Sequence, residues 1–76
     1  MEDEVSRRMN ALRVRQLVTT ELTPRERLVI EMRYGLDGRA PRAQREVAQM
    51  MGISRSYVSR IEKHAVEKLA EAYARE

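Results

Sequence analysis

The spacing of apolar residues across positions 44–63 constrains this 76-residue chain more than any other feature. The segment reads QREVAQMMGISRSYVSRIEK, with apolar or small residues at helical intervals on both sides of one glycine. Gly52 is expected to end a short helix, because a turn there needs a positive φ that a Cβ would penalise. Ala48 has a small side chain, which allows a second helix to cross close to the first. Ser54 can cap the second helix. The pattern predicts a helix-turn-helix over residues 44–63.

The second of these helices separates its side chains by chemistry. At about 100° per residue, a polar and basic arc of roughly 140° contains Arg55, Ser56, Ser59, Arg60 and Lys63. A separate apolar arc of roughly 80° contains Val58, Ile61, Ala65, Leu69 and Ala72. One arc suits a core, and the other suits entry into the major groove of DNA. An ordinary amphipathic helix with a solvated charged face is the alternative.

Positive charge is concentrated on the same segment. The whole chain has a net charge of +3. Residues 39–63 contain six basic and two acidic side chains, hence a local balance of +4, whereas residues 1–38 contain seven of each sign. This distribution places the positive charge where a polyanionic partner would meet the helix-turn-helix.

The residue types present exclude several kinds of site. Cysteine is absent, so the chain has no disulfide, thiolate metal site or cysteine nucleophile. The single histidine, His64, is expected at the surface or a boundary rather than on a metal. Ser54, Ser56 and Ser59 have no adjacent base to activate them. We therefore expect no enzyme activity, no cofactor and no metal. No stretch approaches the roughly 20 apolar residues of a membrane span, so we expect a cytoplasmic protein with no membrane partner.

Helical periodicity and cap signals predict an all-α fold, a small four-helix domain that spans residues 1–76. The helices are expected at about residues 4–19, 24–34, 43–51 and 54–74. The second has the clearest start, a capping box from Thr23 to Glu26 with proline at its first position, and Gly35 is expected to end it. The fourth continues its apolar stripe well beyond the helix-turn-helix, which makes it an extended recognition helix.

The third helix has only half of a cap. Glu46 stands where a capping box needs an acid, but Ala43 has no oxygen with which to accept a backbone N–H bond. We expect this helix to begin less firmly than the second.

The first two helices carry more apolar side chains than two short helices can turn inward together. Leu12, Leu17, Leu28 and Val29 are therefore expected to line an exposed groove that accepts an apolar helix. Met50, beside Met51, is a further candidate for partner contact. Packing on the end of the fourth helix, or on a second copy of the chain, is the alternative.

Four blocks, in order and with family spacing, resemble region 4 of bacterial RNA polymerase sigma factors. They read LTPRER from Leu22, RYGLDG from Arg33, QREVA from Gln44 and GISRSYVSRIEK from Gly52. The last block is most similar to sporulation-type alternative sigma factors of Gram-positive bacteria. The resemblance covers about residues 12–69. It implies recognition of the upstream (−35) element of double-stranded promoter DNA and anchoring by the β-subunit flap of RNA polymerase.

The resemblance also implies roles for individual positions. Base edges are expected to be read by Arg55, Ser56 and Arg60. The DNA backbone is expected to be contacted by Arg25, Arg33, Gln44, Arg45, Tyr57 and Ser59, and Lys63 on the basic arc is grouped with them. The apolar groove is the expected site for the β flap.

Three functions remain open from the sequence. The first is a promoter-recognition domain that binds DNA and polymerase together. The second is a stand-alone helix-turn-helix transcriptional regulator, which would normally dimerise on a palindrome. The third is a protein-interaction module bound by an anti-sigma factor. Because the chain is too short to include a promoter-melting region, an excised region 4 is favoured over a stand-alone protein built like one.

Overall fold

A computed structural model describes residues 4–75 of the chain, with side chains from residue 11 onward. Within that part the chain forms four helices and no strand, namely α1 (Glu4–Glu21), α2 (Pro24–Tyr34), α3 (Gln44–Met51) and α4 (Arg55–Ala74). This confirms the predicted all-α, four-helix fold. α1 continues two residues beyond its predicted end at residue 19, because the first stop signal is the turn before Pro24. None of the four helices combines the length and apolar character that crossing a bilayer requires.

Local hydrogen bonds explain where the helices begin. Thr23 and Glu26 form a complete capping box on α2, since each side chain accepts the backbone N–H of the other, at 3.2 and 3.0 Å. The Ser54 hydroxyl accepts an N–H bond from the first turn of α4 at 3.1 Å. At α3 only half of this arrangement exists. Glu46 accepts the N–H of Ala43 at 3.2 Å, but Ala43 offers no side-chain acceptor in return.

Two glycines end α2 and α3 in the left-handed conformation. Gly35 has φ of 70° and Gly52 has φ of 69°, values at which a Cβ is penalised. After Gly52, the N–H of Ile53 donates to the carbonyl oxygen of Ala48 at 3.1 Å, which closes the turn of the helix-turn-helix.

The loop between α2 and α3 is fastened to α2. The Arg42 N–H donates to the carbonyl oxygen of Met32 at 3.0 Å. The Arg42 side chain also pairs with Asp37 at 3.0 Å. These bonds fix the end of the loop relative to α2, immediately before α3 begins.

α4 is the centre of the molecule, because it packs against all three other helices. One cluster of buried side chains joins it to α2 and α3 and consists of Val29, Met32, Val47, Ala48, Val58 and Ile61. A second cluster joins it to α1 and α2 and consists of Val18, Leu22, Ile30 and Ala65. The helix that carries the basic arc therefore also contributes to both core clusters.

The structure corrects the prediction that Leu17 and Val29 line an exposed groove. Leu17 is only 4% exposed and Val29 is fully buried, whereas Leu12 and Leu28 are 61% and 44% exposed. Part of the surplus of apolar side chains that suggested a groove is covered, since α1 and α2 both pack on α4. Packing on the end of the fourth helix was the alternative considered from the sequence, but Val29 packs with Val58 and Ile61 in the first half of that helix.

Candidate nucleic-acid interface

The polar arc of α4 forms an exposed face along its first half. The Ser54 cap fixes the start of the helix, and Val58 and Ile61 turn into the core. The side chains left exposed are Arg55, Ser56, Tyr57, Ser59, Arg60 and Lys63. The structure thus brings the three predicted base-reading residues onto one helix face.

The positive charge of this face is not neutralised within the molecule. Across the part of the chain that the structure describes, Arg45, Arg55, Arg60 and Lys63 form no side-chain ion pair or hydrogen bond. The only acid among residues 55–63 is Glu62, which is only 8% exposed and accepts hydrogen bonds from Arg33, Tyr34 and Gln44. Unpaired cations with no exposed acid beside them give a surface a strong attraction for a polyanion.

A hollow separates α4 from the start of α3. Its volume is about 450 Å³, and it is lined by Arg33, Ala43, Gln44, Arg45 and Arg55. An adjoining hollow of about 320 Å³ is lined by Gln44, Arg55, Ser56 and Ser59. The first turn of α3 has N–H groups without intrahelical partners, which suit an anion. Predicted backbone contacts from α3 therefore lie beside the predicted base-reading residues of α4.

Arg25 and Tyr57 meet on the other side of α4. Arg25 Nη1 donates to the Tyr57 hydroxyl at 2.9 Å, and the guanidinium carbon lies 5.5 Å from the centre of the ring. Both residues, together with Arg60, line a hollow of about 420 Å³. Because Tyr57 is neutral, this pairing orients Arg25 without cancelling its charge. The exposed face of α4 thus has residues predicted to contact the DNA backbone on both sides.

Arg33 differs from the other predicted backbone contacts because it is already paired. Its Nε donates to Glu62 at 2.8 Å, and its Nη1 donates to the carbonyl oxygen of Arg42 at 2.8 Å. The hydrogen bond to Glu62 raises the pKa of Arg33 above its ordinary value. Arg33 borders the hollow at α3, but much of its hydrogen-bonding capacity and its charge are used inside the protein.

Glu62 is the site residue that sequence reasoning missed. Its carboxylate accepts hydrogen bonds from Arg33 at 2.8 Å, Tyr34 at 2.9 Å and Gln44 at 2.9 Å. Burial alone would raise the pKa of Glu62, but these bonds outweigh burial and hold the pKa below its ordinary value. A signal was present, because at 100° per residue Glu62 falls roughly 20° from Leu69, at the edge of the apolar arc.

The exposed members of the predicted groove, Leu12 and Leu28, lie on α1 and α2 and not on the basic face of α4. Leu28 lines an apolar hollow of about 480 Å³ between α2 and α3, together with Pro24, Arg25, Met32, Met50 and Met51. Leu12 is an exposed side chain of α1. Leu28 therefore has its apolar neighbours on α3, not on α1 as the predicted groove requires.

Comparison with known proteins identifies the family. Residues 20–71 match the family model described as Sigma-70, region 4. The chain is 44% identical over 73 residues to the RNA polymerase sigma-K factor of Bacillus subtilis. These residues make up 96% of this chain and 24% of that protein. No solved structure matches the chain significantly.

Two other relatives agree with this assignment. The RNA polymerase sigma-E factor of Clostridium acetobutylicum is 49% identical over 49 residues, which cover 64% of this chain and 21% of that protein. The sigma-28 factor of Bacillus thuringiensis is 50% identical over 54 residues, which cover 71% of this chain and 23% of that protein. The chain thus spans less than a quarter of the length of these relatives. The predicted resemblance to alternative sigma factors of Gram-positive bacteria is confirmed, and the chain belongs to the sigma-70 region 4 family.

Proposed function

We propose that this chain is the promoter-recognition domain of a sigma factor, which binds the upstream promoter element through α4 and is held by the β flap of RNA polymerase. One observation carries the DNA-binding part. The exposed face of α4 has unpaired cations and no exposed acid over residues 55–63, and it is flanked on both sides by polar and basic side chains from α2 and α3. Promoter DNA and polymerase would place this function in the cytoplasm.

The arrangement of side chains suggests how DNA would be bound. Arg55 and Arg60 can each donate two hydrogen bonds to a guanine edge, and Ser56 can contact several bases. Backbone phosphates on one side of the groove would meet Gln44 and Arg45 at the start of α3. Phosphates on the other side would meet Arg25, which Tyr57 holds in place. Contacts on both sides fix the orientation of the helix, and base contacts then supply specificity.

Selection of bound duplexes from a random pool tests this proposal. A single domain that reads one promoter element should enrich an asymmetric sequence. A stand-alone helix-turn-helix regulator should enrich a palindrome and bind it as a dimer. Recovery of a palindrome, with a dimer in solution, would overturn the proposal in favour of the regulator.

The rim of the second core cluster is the surface that we assign to the β flap. Leu36 and Leu69 pack on that cluster but are only partly buried, and Val66, one turn from Leu69, is exposed. Val66 and Leu69 follow residues 55–63 in α4, and the proposal therefore has DNA and polymerase bind successive parts of this helix. The hollow around Leu28 includes Arg25, which we assign to DNA, so a partner in that hollow would compete with the promoter.

Three single substitutions separate the possible flap surfaces. Val66→Asp should weaken binding to a peptide carrying the β-flap helix by at least about tenfold, as expected for loss of an apolar anchor. Leu28→Asp and Leu12→Asp, which alter exposed side chains elsewhere, should bind the peptide as the parent does. If only the Leu28 variant loses binding to the peptide, the flap site would instead be the hollow between α2 and α3. If the parent itself does not bind the peptide, the regulator and the anti-sigma target gain support.

A further inference from the structure

The buried carboxylate of Glu62 joins three helices. Arg33 from α2 and Gln44 from α3 both donate to its Oε1, while the Tyr34 hydroxyl donates to its Oε2. Glu62 itself belongs to the recognition helix α4. Its hydrogen bonds therefore set the end of α2 and the start of α3 relative to the helix that carries the predicted base contacts.

The start of α3 is tied to this carboxylate at two points. Ala43 gives the helix no side-chain acceptor, and Gln44, the first helical residue, is held by Glu62 at 2.9 Å. Arg33 holds the chain two residues earlier, because its Nη1 donates to the carbonyl oxygen of Arg42 at 2.8 Å. Glu62 thus restrains the beginning of α3 directly through Gln44 and indirectly through Arg33.

We propose that Glu62 is a positioning residue for DNA binding, which holds Arg33 and Gln44 so that the hollow between α3 and α4 is shaped for a backbone phosphate before DNA arrives. This inference rests on the proposed function, because it takes the occupant of the hollow to be DNA. Preorganisation of this kind strengthens binding, since less freedom is lost when the ligand binds. Glu62 itself would not touch the DNA.

Electrostatics and positioning predict opposite effects of removing this carboxylate. Glu62 is a negative charge close to cations that would meet phosphates. If its charge were its only influence, its removal would tighten DNA binding by leaving more positive charge on the surface. If Glu62 positions Arg33 and Gln44, its removal weakens binding despite the more favourable charge. The direction of the change therefore distinguishes the two roles.

Glu26 provides a matched control. It is buried to a similar extent, with 7% of its surface exposed against 8% for Glu62. It also joins α2 to α4, through Lys68 at 2.8 Å and His64 at 3.0 Å. It makes no hydrogen bond to α3. Glu26→Gln thus removes the same charge and a comparable bridge between helices, but leaves the start of α3 in place.

The test compares Glu62→Gln and Glu26→Gln with the parent chain on a duplex of the selected sequence. Each backbone phosphate of that duplex is replaced in turn by a neutral methylphosphonate. Glu62→Gln should bind the intact duplex about three- to tenfold more weakly, the size of one or two lost hydrogen bonds. One replaced phosphate, the one assigned to the hollow at α3, should weaken DNA binding by the parent strongly. The same replacement should weaken DNA binding by Glu62→Gln much less. Glu26→Gln should keep the full effect of that replacement.

Three results would overturn the positioning role. They are tighter binding by Glu62→Gln, an equal loss in both variants, or an unchanged dependence on that phosphate. If Glu62→Gln is not helical at the assay temperature, Tyr34→Phe decides the question, because it removes one hydrogen bond to Glu62 from a residue that does not line the hollow. Tyr34→Phe should show a smaller loss in the same direction, and parental behaviour would reject the proposal. A parent chain that binds no duplex would instead reject the proposed function.

Discussion

The basic side chains of this domain differ in their partners within the molecule, and these partners indicate which side chains are available to a ligand. Arg55 and Arg60 have no partner among the described residues, so they are available to a ligand. Arg25 is oriented by a neutral hydroxyl, whereas Arg33 is paired with a buried carboxylate. A count of positive charges in the sequence treats all four alike.

Arg60→Ala should lower affinity for the selected duplex and relax preference at one or two base pairs. The expected cost is about 1–3 kcal/mol if the contact with guanine is bidentate. Lys63→Ala, one turn further along the same face, is the control and should weaken binding to all sequences alike. Competition between the selected duplex and single-base variants measures both. An Arg60 variant that weakens equally on every sequence would make Arg60 a phosphate contact.

Arg25→Ala and Arg33→Ala should no longer behave as a pair, although the sequence assigned both to the DNA backbone. Arg25→Ala should reduce the salt dependence of DNA binding by about one phosphate contact and change the free energy of unfolding by less than about 0.5 kcal/mol. Arg33→Ala should also destabilise the fold by about 1–3 kcal/mol, because the buried carboxylate of Glu62 loses its charged donor and Oε1 keeps only Gln44. Salt titrations and thermal unfolding separate the two. Equal stability of both variants would show that the Glu62 network contributes little to folding.

Among α2, α3 and α4, α3 is the helix whose start is least secured by its own sequence. It has eight residues and no side-chain acceptor at its N-cap. The φ and ψ of Ala43, −68° and 154°, are nevertheless those of a capping residue. A residue with a hydroxyl can therefore be placed there without moving the backbone.

Ala43→Thr should stabilise the domain by about 0.5–2 kcal/mol, because the new hydroxyl completes the capping box that Glu46 begins. Thr23→Ala breaks the intact box on α2 and should destabilise the domain by a comparable amount. Chemical denaturation of both variants measures the difference. An unchanged or lower stability of Ala43→Thr would show that the Glu62 network already secures this end of α3.

Gly35→Ala should be more damaging than Gly52→Ala, although both glycines end helices with nearly the same φ. Each change incurs about 1–2 kcal/mol for a left-handed non-glycine residue. A Cβ on Gly35 would also lie 2.6 Å from the carbonyl oxygen of Arg39, whereas a Cβ on Gly52 meets no atom within 4 Å. That clash should add about 1–3 kcal/mol. Equal unfolding free energies for the two variants would mean that the loop after Gly35 yields easily.

Local signals account for most of the elements but not for the contacts between them. The Thr23 cap, Gly35, Gly52 and the Ser54 cap act within a few residues, so the sequence reveals where α2, α3 and α4 begin or end. The burial of Leu17 and Val29 depends on where α4 runs relative to α1 and α2. Periodicity shows that such side chains face inward, but it does not show which helix covers them.

The candidate site was predictable to the same extent. Arg55, Ser56 and Arg60 lie on one face because of helical geometry alone, and the structure leaves that face exposed. The bonds of Glu62 join residues 18 to 29 positions apart. They depend on the crossing of three helices, and no short-range pattern encodes them.

At the scale of the whole molecule, recognition and folding share one helix. α4 presents the side chains that are predicted to contact DNA and also packs on α1, α2 and α3. Two buried carboxylates hold it there, since Glu26 joins it to the start of α2 and Glu62 joins it to the end of α2 and to α3. Loss of the Glu26 charge should therefore loosen the start of α2 on α4, whereas loss of the Glu62 charge should loosen the end of α2 and the start of α3.

The stability of the domain should fall in acid. Burial would raise the pKa of Glu26, but hydrogen bonds from Lys68 and Thr23 outweigh it, so both Glu26 and Glu62 have pKa values below the ordinary value of 4.5 in the folded state. The unfolded chain then binds more protons near and below that pH. The stabilisation is fully present above pH 4.5 and is lost as pH falls through the folded pKa values.

The same network should weaken in alkali for the opposite reason. The hydrogen bond that Tyr34 donates to Glu62 raises the pKa of Tyr34 above its ordinary value of 10.0. That contribution is present below pH 10.0 and is lost as pH rises through the folded pKa. Thermal unfolding from pH 3 to pH 11 should thus show a plateau with a fall on each side. Glu62→Gln should reduce the fall on both sides, because it removes a titrating carboxylate and also the group that raises the pKa of Tyr34. Tyr34→Phe should reduce the alkaline fall and, to a smaller extent, the acid fall, because Tyr34 is one of three donors that lower the pKa of Glu62. A melting temperature that rises between pH 5 and pH 3 would contradict the assignment, because it would mean that Glu26 and Glu62 bind protons more readily in the folded chain than in the unfolded one.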